Sequence, residues 1–516
     1  MSLPLDILMV FALIFCILLG FPVAFTIAGV AIVFAFLGAL TGAMDLSLLG
    51  ALGQRIFGVL TNDVLIAIPL FVLMGVVLEK SRIAEDLLET MGRLFGRVRG
   101  GLGVSVVLVG ALLAASTGIV GATVIAMGMI ALPTMLRNGY NPKLAAGTVC
   151  TAGTLGQIIP PSTLLIILSD VMSNAYQQAQ YEQGKFTVET ISVGQVFAAA
   201  LVPGLLLVVI YIVYLLARAW LFASDAPAAR ALEEKPSLWT VGGAIVPPIF
   251  LIIAVLGAIL GGIATPTEAA SVGAAGAFLM AGQRQGVSRN LVVVALVCLF
   301  GVIVMAGLFP VRLQRSDAGA VTYMVGGVYA VLAITGFAVV AGCVRSAYKR
   351  GLLLPAMTST LSVTAMIFTT ILTASVFSLV FVGLGGEERV EQVVTAMPGG
   401  ATGALIFCML LIFVLGFFLD FVEITVIVLP LITPLLILMG HDPIWLTVLI
   451  AINLQTSFLT PPFGFSLFYL RSVAPKEITT GSIYLGVAPF IVLQAVAVML
   501  IWLAPIVTTA LPGFLY

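Results

Sequence analysis

The sequence predicts an all-α polytopic membrane protein with inverted repeats, two re-entrant helical hairpins and two helices broken at Pro-Pro. Three observations carry this. Of 516 residues, 61% are hydrophobic and 9% charged, against roughly 25% charged in a soluble domain, and many apolar windows reach the ~20 residues of a bilayer crossing. One block occurs twice, 301 residues apart: Pro133, Gly139, Tyr140, Asn141, Pro142, Pro160-Pro161, then Pro434, Gly440, His441, Asp442, Pro443, Pro461-Pro462. Lys and Arg concentrate in alternate loops, as the positive-inside rule requires. Matching Pro- and Gly-broken apolar segments in two halves point to the binding site of a secondary transporter.

Apolar spans fall at about 5–19, 23–42, 62–79, 101–138, 142–169, 195–217, 239–262, 266–283, 290–310, 321–344, 353–384, 401–439, 443–470 and 480–510. The runs 101–138 and 401–439 are too long for one crossing and carry small residues or an acid midway. Each reads as a hairpin that enters and leaves on one side, which is tolerated at that depth only inside protein or facing water. With the N-terminus outside, three crossings bring Lys80, Arg82, Arg93, Arg97 and Arg99 inside. The hairpin keeps Arg137 and Lys143 inside, and the later basic loops (Arg218, Arg230, Lys235, Arg284, Arg289, Arg345, Lys349, Arg350, Arg471, Lys476) follow. Lys185 and Glu387-Glu388 fall outside, as do Arg312 and Arg315, the main exceptions. Both termini are expected on the outer side. MSLPLD lacks the basic start of a cleaved signal, so the first run reads as a retained helix. Ser81–Arg99, with mixed charges, reads as an amphipathic arm at the inner interface.

A second anchor pairs Pro22 and Gly29 with Pro266 and Gly273. Its offset of 244 leaves about 57 extra residues in the second half, which the spans 290–310 and 321–344 supply as an inserted helix pair. Five crossings separate Pro22 from Pro266, an odd number, so the halves are inverted. The divisions are 1–99 (scaffold and arm), 100–170 (hairpin and broken helix), 171–265 (connecting helices), 266–400 (second scaffold, with the insertion at about 288–350), 401–470 (second hairpin and broken helix) and 471–516 (C-terminal helix).

The net charge is zero and no basic patch is long enough for nucleic acid. The five cysteines sit in apolar runs as small core residues. No His-Cys cluster and no nucleophile-base pair is visible, which argues against a membrane enzyme; no cofactor is expected.

GTLGQIIPPSTLLIIL (153–168), GIATPTEAASVG (262–273), GFFLDFVEITVIVLPLITPLLILMGHDPIWL (416–446) and NLQTSFLTPPFGFSLFYL (453–470) resemble the large membrane subunit, the DctM type, of tripartite ATP-independent periplasmic (TRAP) transporters. The resemblance covers nearly the whole chain except about 288–350. It implies an elevator mechanism driven by sodium in a bacterial or archaeal inner membrane. It also implies a separate small membrane subunit of about four helices and a periplasmic binding protein that delivers a small organic acid. A stand-alone carrier of the sodium/dicarboxylate type is the alternative.

Asn141-Pro142 and Asp442-Pro443 suit a helix start, cap then first turn. Each Pro-Pro lies 18 residues beyond, about 27 Å along a helix. Proline removes an amide donor and obstructs the carbonyl four residues back. The carbonyls so freed suit Na⁺, a hard cation that prefers oxygen. The expected donors are Gly156, Ile159 and Pro161, and Ser457, Thr460 and Pro462; a merely kinked helix is the alternative. The hairpin tips should close each site: Ser116 with Thr117, Gly121 and Thr123 in the first, Gly416 and Asp420 in the second. Asp420 and Glu423 are acids in an apolar run, functional by default. The family has an acid matching Asp420. Capping at the hairpin turn is the alternative for Asp420, a salt bridge or a water-facing position for Glu423. Ser116, Gly156, Ile159 and Pro161 thus form the expected first sodium site, and Gly416, Asp420, Ser457, Thr460 and Pro462 the second. Thr117, Gly121, Thr123, Thr154, Asn453 and Thr456 are the expected substrate contacts, with Gln157 and Gln455 beside them; interhelical hydrogen bonding is the plainer role. Membrane lipid completes the expected partners.

Overall fold

A computed structural model describes residues 4–118, 120–228, 237–309 and 320–516, without the side chains of 84, 116, 117, 238, 240, 306, 307 and 320. The described residues form helices joined by short turns, with no strand among them. Eight of the helices are long and apolar enough to cross a bilayer.

The first half begins with α1 (Leu5–Leu18), α2 (Val23–Thr41), α3 (Leu52–Leu60), α4 (Asp63–Lys80) and α5 (Ile83–Phe95). Helices α6 (Gly101–Thr117) and α7 (Val120–Arg137) form a hairpin. The broken helix follows as α8 (Pro142–Thr154) and α9 (Thr163–Glu182), and α10 (Val193–Leu221) closes the run. Helices α11 (Leu238–Leu260) and α12 (Pro266–Arg284) lead into the second half, and α13 (Arg289–Leu308) and α14 (Ala320–Lys349) precede α15 (Leu353–Gly383). Then come α16 (Gly386–Thr395) and the second hairpin, α17 (Gly400–Leu415) with α18 (Phe421–Glu423), a π-helical turn at Ile424–Val428, and α19 (Leu429–Leu438). The chain ends with α20 (Pro443–Leu459), α21 (Phe465–Val473), α22 (Thr480–Leu503) and α23 (Ile506–Leu515).

The order long helix, short arm, hairpin, broken helix, long helix therefore occurs as α4–α10 and again as α15–α22. The joints correspond in kind. Each arm is entered through a left-handed residue, Arg82 (φ 59°) or Gly385 (φ 82°), and each hairpin through a left-handed glycine, Gly100 (φ 78°) or Gly399 (φ 95°). Asn141 and Asp442 cap α8 and α20, accepting from Lys143 N and Trp445 N. Both Pro160-Pro161 and Pro461-Pro462 are cis.

Packing crosses between the runs in matched pairs. Helix α2 lies along α15 and α12 along α4; α9 packs on α19 and α21 on α7; α22 packs on α8 and α10 on α20. The tightest of these joins Gly147 to Gly486. A Cβ on Gly147 would lie 2.1 Å from the Gly486 carbonyl oxygen, and one on Gly486 2.0 Å from the Lys143 oxygen. Small residues permit such backbone approach where lipid supplies no hydrophobic drive between helices.

Five details differ from the sequence reading. Helix α9 continues to Glu182, well beyond 169, because Gln180 holds its last turn to the loop through Glu189 N and O. The run 480–510 breaks at Ala504, which precedes Pro505 and sits at φ −128°, ψ 74°, outside the helical region a pre-proline residue avoids. The acidic stretch at Glu387-Glu388 opens a second short arm, α16, where only a loop was expected. A helix at 52–60, α3, was also unassigned. The first arm spans Ile83–Phe95, shorter than Ser81–Arg99.

Candidate functional site

Each Pro-Pro turn sits against the tip of the hairpin from its own half. In the first half, the Thr163 hydroxyl, directly beyond the prolines, donates to the Gly118 carbonyl at the tip, 2.7 Å away. Gly118 is left-handed (φ 60°), and a Cβ there would lie 3.1 Å from Thr163 N. Ser162 folds back to donate to the Gln157 carbonyl at 2.8 Å. Gly156 faces the hairpin at Ala114, with an added Cβ 3.4 Å from the Ala114 Cα. Gly156 and Pro161 are thus brought to the tip. The Ile159 side chain instead packs under Gly204 of α10. The side chains of Ser116 and Thr117 lie outside the described residues; their backbones complete α6.

In the second half, a Cβ on Gly416 would lie 2.1 Å from Ser457 Oγ, so these two residues are in direct contact. The Ser457 carbonyl accepts from Thr460 N (3.1 Å) and the Thr460 carbonyl from Gly464 N (3.0 Å). The Pro462 carbonyl accepts from the Tyr484 hydroxyl (2.9 Å). A carbonyl has two lone pairs, so each retains an acceptor position for a cation. Asp420 caps α18 by accepting from Phe421 N (2.7 Å), and Glu423 reaches back to accept from Asp420 N (2.8 Å). The acids form a reciprocal capping box. This is the local role weighed above as the alternative for Asp420.

The expected substrate contacts scatter. Thr154 accepts from Gln455 Nε2 at 3.4 Å. These positions are equivalent in the duplicated block, 301 apart, so equivalent residues meet where the two broken helices cross. Asn453 donates to the Met409 carbonyl of α17 (2.8 Å). Thr456 and Thr460 return their hydroxyls to Ile452 and Thr456 on their own helix. Gly121 lies against the Tyr469 ring of α21, and Thr123 is buried. Residues singled out by the structure and absent from the expected site are Ser162, Thr163 and Tyr484, which hold the turns, and Tyr469. Hydroxyls immediately after Pro-Pro were the available signal for the first two. Gln157, 1% exposed, has no hydrogen-bond partner at either side-chain atom, and Thr151 Oγ1 and Gln455 Oε1 are also unpartnered. Buried polar atoms of this kind call for an unseen water or ion. Among the described residues no three His, Cys, Asp or Glu side chains gather.

Comparison with known proteins follows this geometry. The chain is 27% identical to the C4-dicarboxylate TRAP transporter large permease protein DctM of Vibrio cholerae, over 96% of this chain and 95% of that one. It is 24% identical to the ectoine TRAP transporter large permease protein TeaC of Halomonas elongata, covering 96% of each. It is 25% identical to the isethionate TRAP transporter permease protein DctMQ of Oleidesulfovibrio alaskensis, over 96% of this chain and 65% of that one. The crystal structure of the Alcanivorax borkumensis YdaH transporter superposes with a TM-score of 0.53 at 14% identity, covering 91% of this chain and 88% of that one, and so shares the fold. These relatives are transporter components and not enzymes, and they agree with a multi-pass protein of the bacterial inner membrane. The profile of the tripartite ATP-independent periplasmic transporter DctM component matches residues 10–291 and 282–507, and the chain belongs to that family.

Proposed function

We propose that the chain is the sodium-coupled permease of a TRAP system, taking up a small organic acid that a periplasmic binding protein delivers. The observation that carries this is the pairing of two broken-helix turns, each against its own hairpin tip and crossed by a helix of the other half. Carbonyl-rich turns suit Na⁺, and half-helix N-termini suit the carboxylate. Sodium at Gly156, Ile159 and Pro161 with Ser116, and at Ser457, Thr460 and Pro462 with Gly416 and Asp420, orders the tips and completes the substrate pocket among Thr117, Gly121, Thr123, Thr154, Asn453 and Thr456.

The two runs are inverted repeats in this reading. The polar contacts between elements support it, because each joins segments that the charge-based topology puts on one side. One group joins Arg284 to Asp86 and the Ser81 carbonyl, Gly100 N to the Ala226 carbonyl, and Asn141 to Asp225, which also pairs with Arg218. The other joins Asn62 to Asp170, Thr267 to the Asp63 carbonyl, and Arg389 to Asp6. The first group is cytoplasmic and the second periplasmic, with both termini outside. Helix α22 moves with the hairpins, since the Gly147–Gly486 contact leaves no room to slide, α10 goes with them through its packing on α6 and α20, and the body travels as an elevator against α2, α4, α12 and α15. A small membrane subunit works beside the chain; the DctMQ permease relative, of which this chain covers 65%, has room for such a second component. The substrate classes named for the relatives, C4-dicarboxylate and isethionate among them, support an organic acid.

The test is uptake into proteoliposomes containing the chain and its small subunit, with binding protein and labelled organic acids outside. Uptake is expected to need both an inward Na⁺ gradient and the binding protein. Uptake with Na⁺ alone would make the chain a stand-alone carrier. Uptake indifferent to Na⁺ would end the sodium reading.

A further inference from the structure

We infer that the cavity between α1, α16 and the second hairpin is a lipid site, which takes an acyl chain of a phospholipid with an ammonium headgroup. The cavity measures about 570 Å³, within the ~300–1,000 Å³ of small-molecule pockets. Its wall includes Val10 and Ile14 of α1, Phe377 of α15, Phe407 and Leu411 of α17, and Leu431 of α19. The charged side chains in the lining are Asp6 and Arg389. From Asp6 to Ile14 the α1 wall runs about 12 Å at 1.5 Å per residue. A long apolar body with one polar end is the shape of a lipid tail below its headgroup.

The polar end is incomplete. Asp6 is 1% exposed; one of its oxygens takes the Arg389 guanidinium, and Oδ1 has no partner. A buried carboxylate oxygen left unpaired is costly, so a donor belongs there. Water alone does not fit the rest of the space, because apolar cavities of this kind stay dry. The headgroup follows from charge. Glu387, Glu388 and Glu391 are exposed on α16 beside the single Arg389. That rim repels an anionic headgroup. An ammonium satisfies Asp6 Oδ1 and the glutamates while its phosphate faces Arg389. The cavity also touches Leu415 and Leu419, which flank the second hairpin tip, so the chain of the lipid reaches the element that carries Gly416 and Asp420. The inference depends on the membrane setting alone and stands or falls independently of sodium coupling.

The full chain would be reconstituted with phosphatidylethanolamine carrying a photoreactive acyl chain, and the labelled positions mapped by mass spectrometry. Labelling is expected at 10–14 of α1 and 407–411 of α17, and should fall several-fold in Leu411→Trp. Val10→Trp fills the same space from the opposite wall and serves if the first variant fails to fold. Asp6→Asn should cut the preference for this probe over a phosphatidylglycerol probe about tenfold, the loss of one charge-assisted hydrogen bond. Labelling confined to outward faces such as Val331 and Phe337 of α14, or unchanged in both tryptophan variants, would overturn the site. Equal labelling by the two probes in the parent chain would overturn the headgroup.

Discussion

The two Pro-Pro turns are alike in sequence and unlike in surroundings. Residues 155–162 of the first are all buried, Pro160 and Pro161 included, and the hairpin tip is bonded to Thr163. In the second, Pro462 is exposed and Phe463 is 43% exposed. One aromatic ring of the tip meets it: Phe418 lies 5.6 Å from Phe463 between ring centroids. The first tip is thus held by a hydrogen bond to the far side of its turn, and the second meets its turn through the Phe418–Phe463 ring contact. The two turns thus differ in burial and in the contacts that hold their tips. If both bind Na⁺, the second is the entrance.

The largest expected effect comes from Gly416→Ala. Its Cβ would stand 2.1 Å from Ser457 Oγ and 2.7 Å from Ser457 Cβ. Overpacking of that severity costs about 1–3 kcal/mol or more, and here it falls on the second tip. Uptake should drop further than for Gly118→Ala, whose Cβ meets its nearest atom at 3.1 Å and whose penalty is the left-handed backbone, about 1–2 kcal/mol. Ser457→Gly should partly restore Gly416→Ala. Equal losses in the two glycine variants, measured as initial uptake rates, would erase the asymmetry.

Asp420 separates capping from ion binding. Asn caps about as well as Asp, whereas Ala forfeits about 1 kcal/mol. Asp420→Asn should therefore keep the melting temperature and lose sodium-dependent uptake, and Asp420→Ala should lower both. An Asn variant with parental sodium dependence would leave Asp420 as a cap only.

Much of this was legible in the sequence because glycine and proline act locally. The duplicated Gly-Pro block located both hairpin ends and both broken helices, since proline removes a donor wherever it stands. Asn141 and Asp442 could be read as caps for the same reason. Partners distant in sequence could not be read. Nothing in Asn453 announces the Met409 carbonyl, and nothing in Thr154 announces Gln455 except the shared offset of 301. The arm α16 was missed because its charges suggested a loop, while its apolar positions Val390, Val393 and Val394 line or pack the cavity against α1. The burial difference between the two turns depends on what packs around them, which no single segment encodes.

Accessibility measures that difference directly. A cysteine at Phe463 should react with a membrane-impermeant thiol reagent from the periplasmic side much faster than one at Ile159, which is 6% exposed. The parent chain is the control: four of its cysteines are buried and Cys16 is partly so. Added Na⁺ should slow labelling at 463 if the rings close when the second site fills. Fast labelling at 159 would mean that the first turn opens as readily as the second.

The smallest effect belongs to Thr163→Val, which keeps shape and removes the hydroxyl that donates to Gly118. One neutral hydrogen bond contributes about 1 kcal/mol, and the valine leaves the Gly118 carbonyl without that donor. The fold should survive, since the turn keeps its Ser162–Gln157 bond. What should change is the contrast itself. With the first tip unlatched, a cysteine at Ile159 gains reactivity toward the level of one at Phe463, and uptake needs more Na⁺ for half-saturation because the ion must now order a loose tip. If Ile159→Cys stays unreactive in the Thr163→Val background, packing of Gly156 on Ala114 rather than the hydrogen bond keeps the first turn shut, and a bulkier Gly156→Leu, whose side chain exceeds the 3.4 Å gap to Ala114, becomes the variant that opens it.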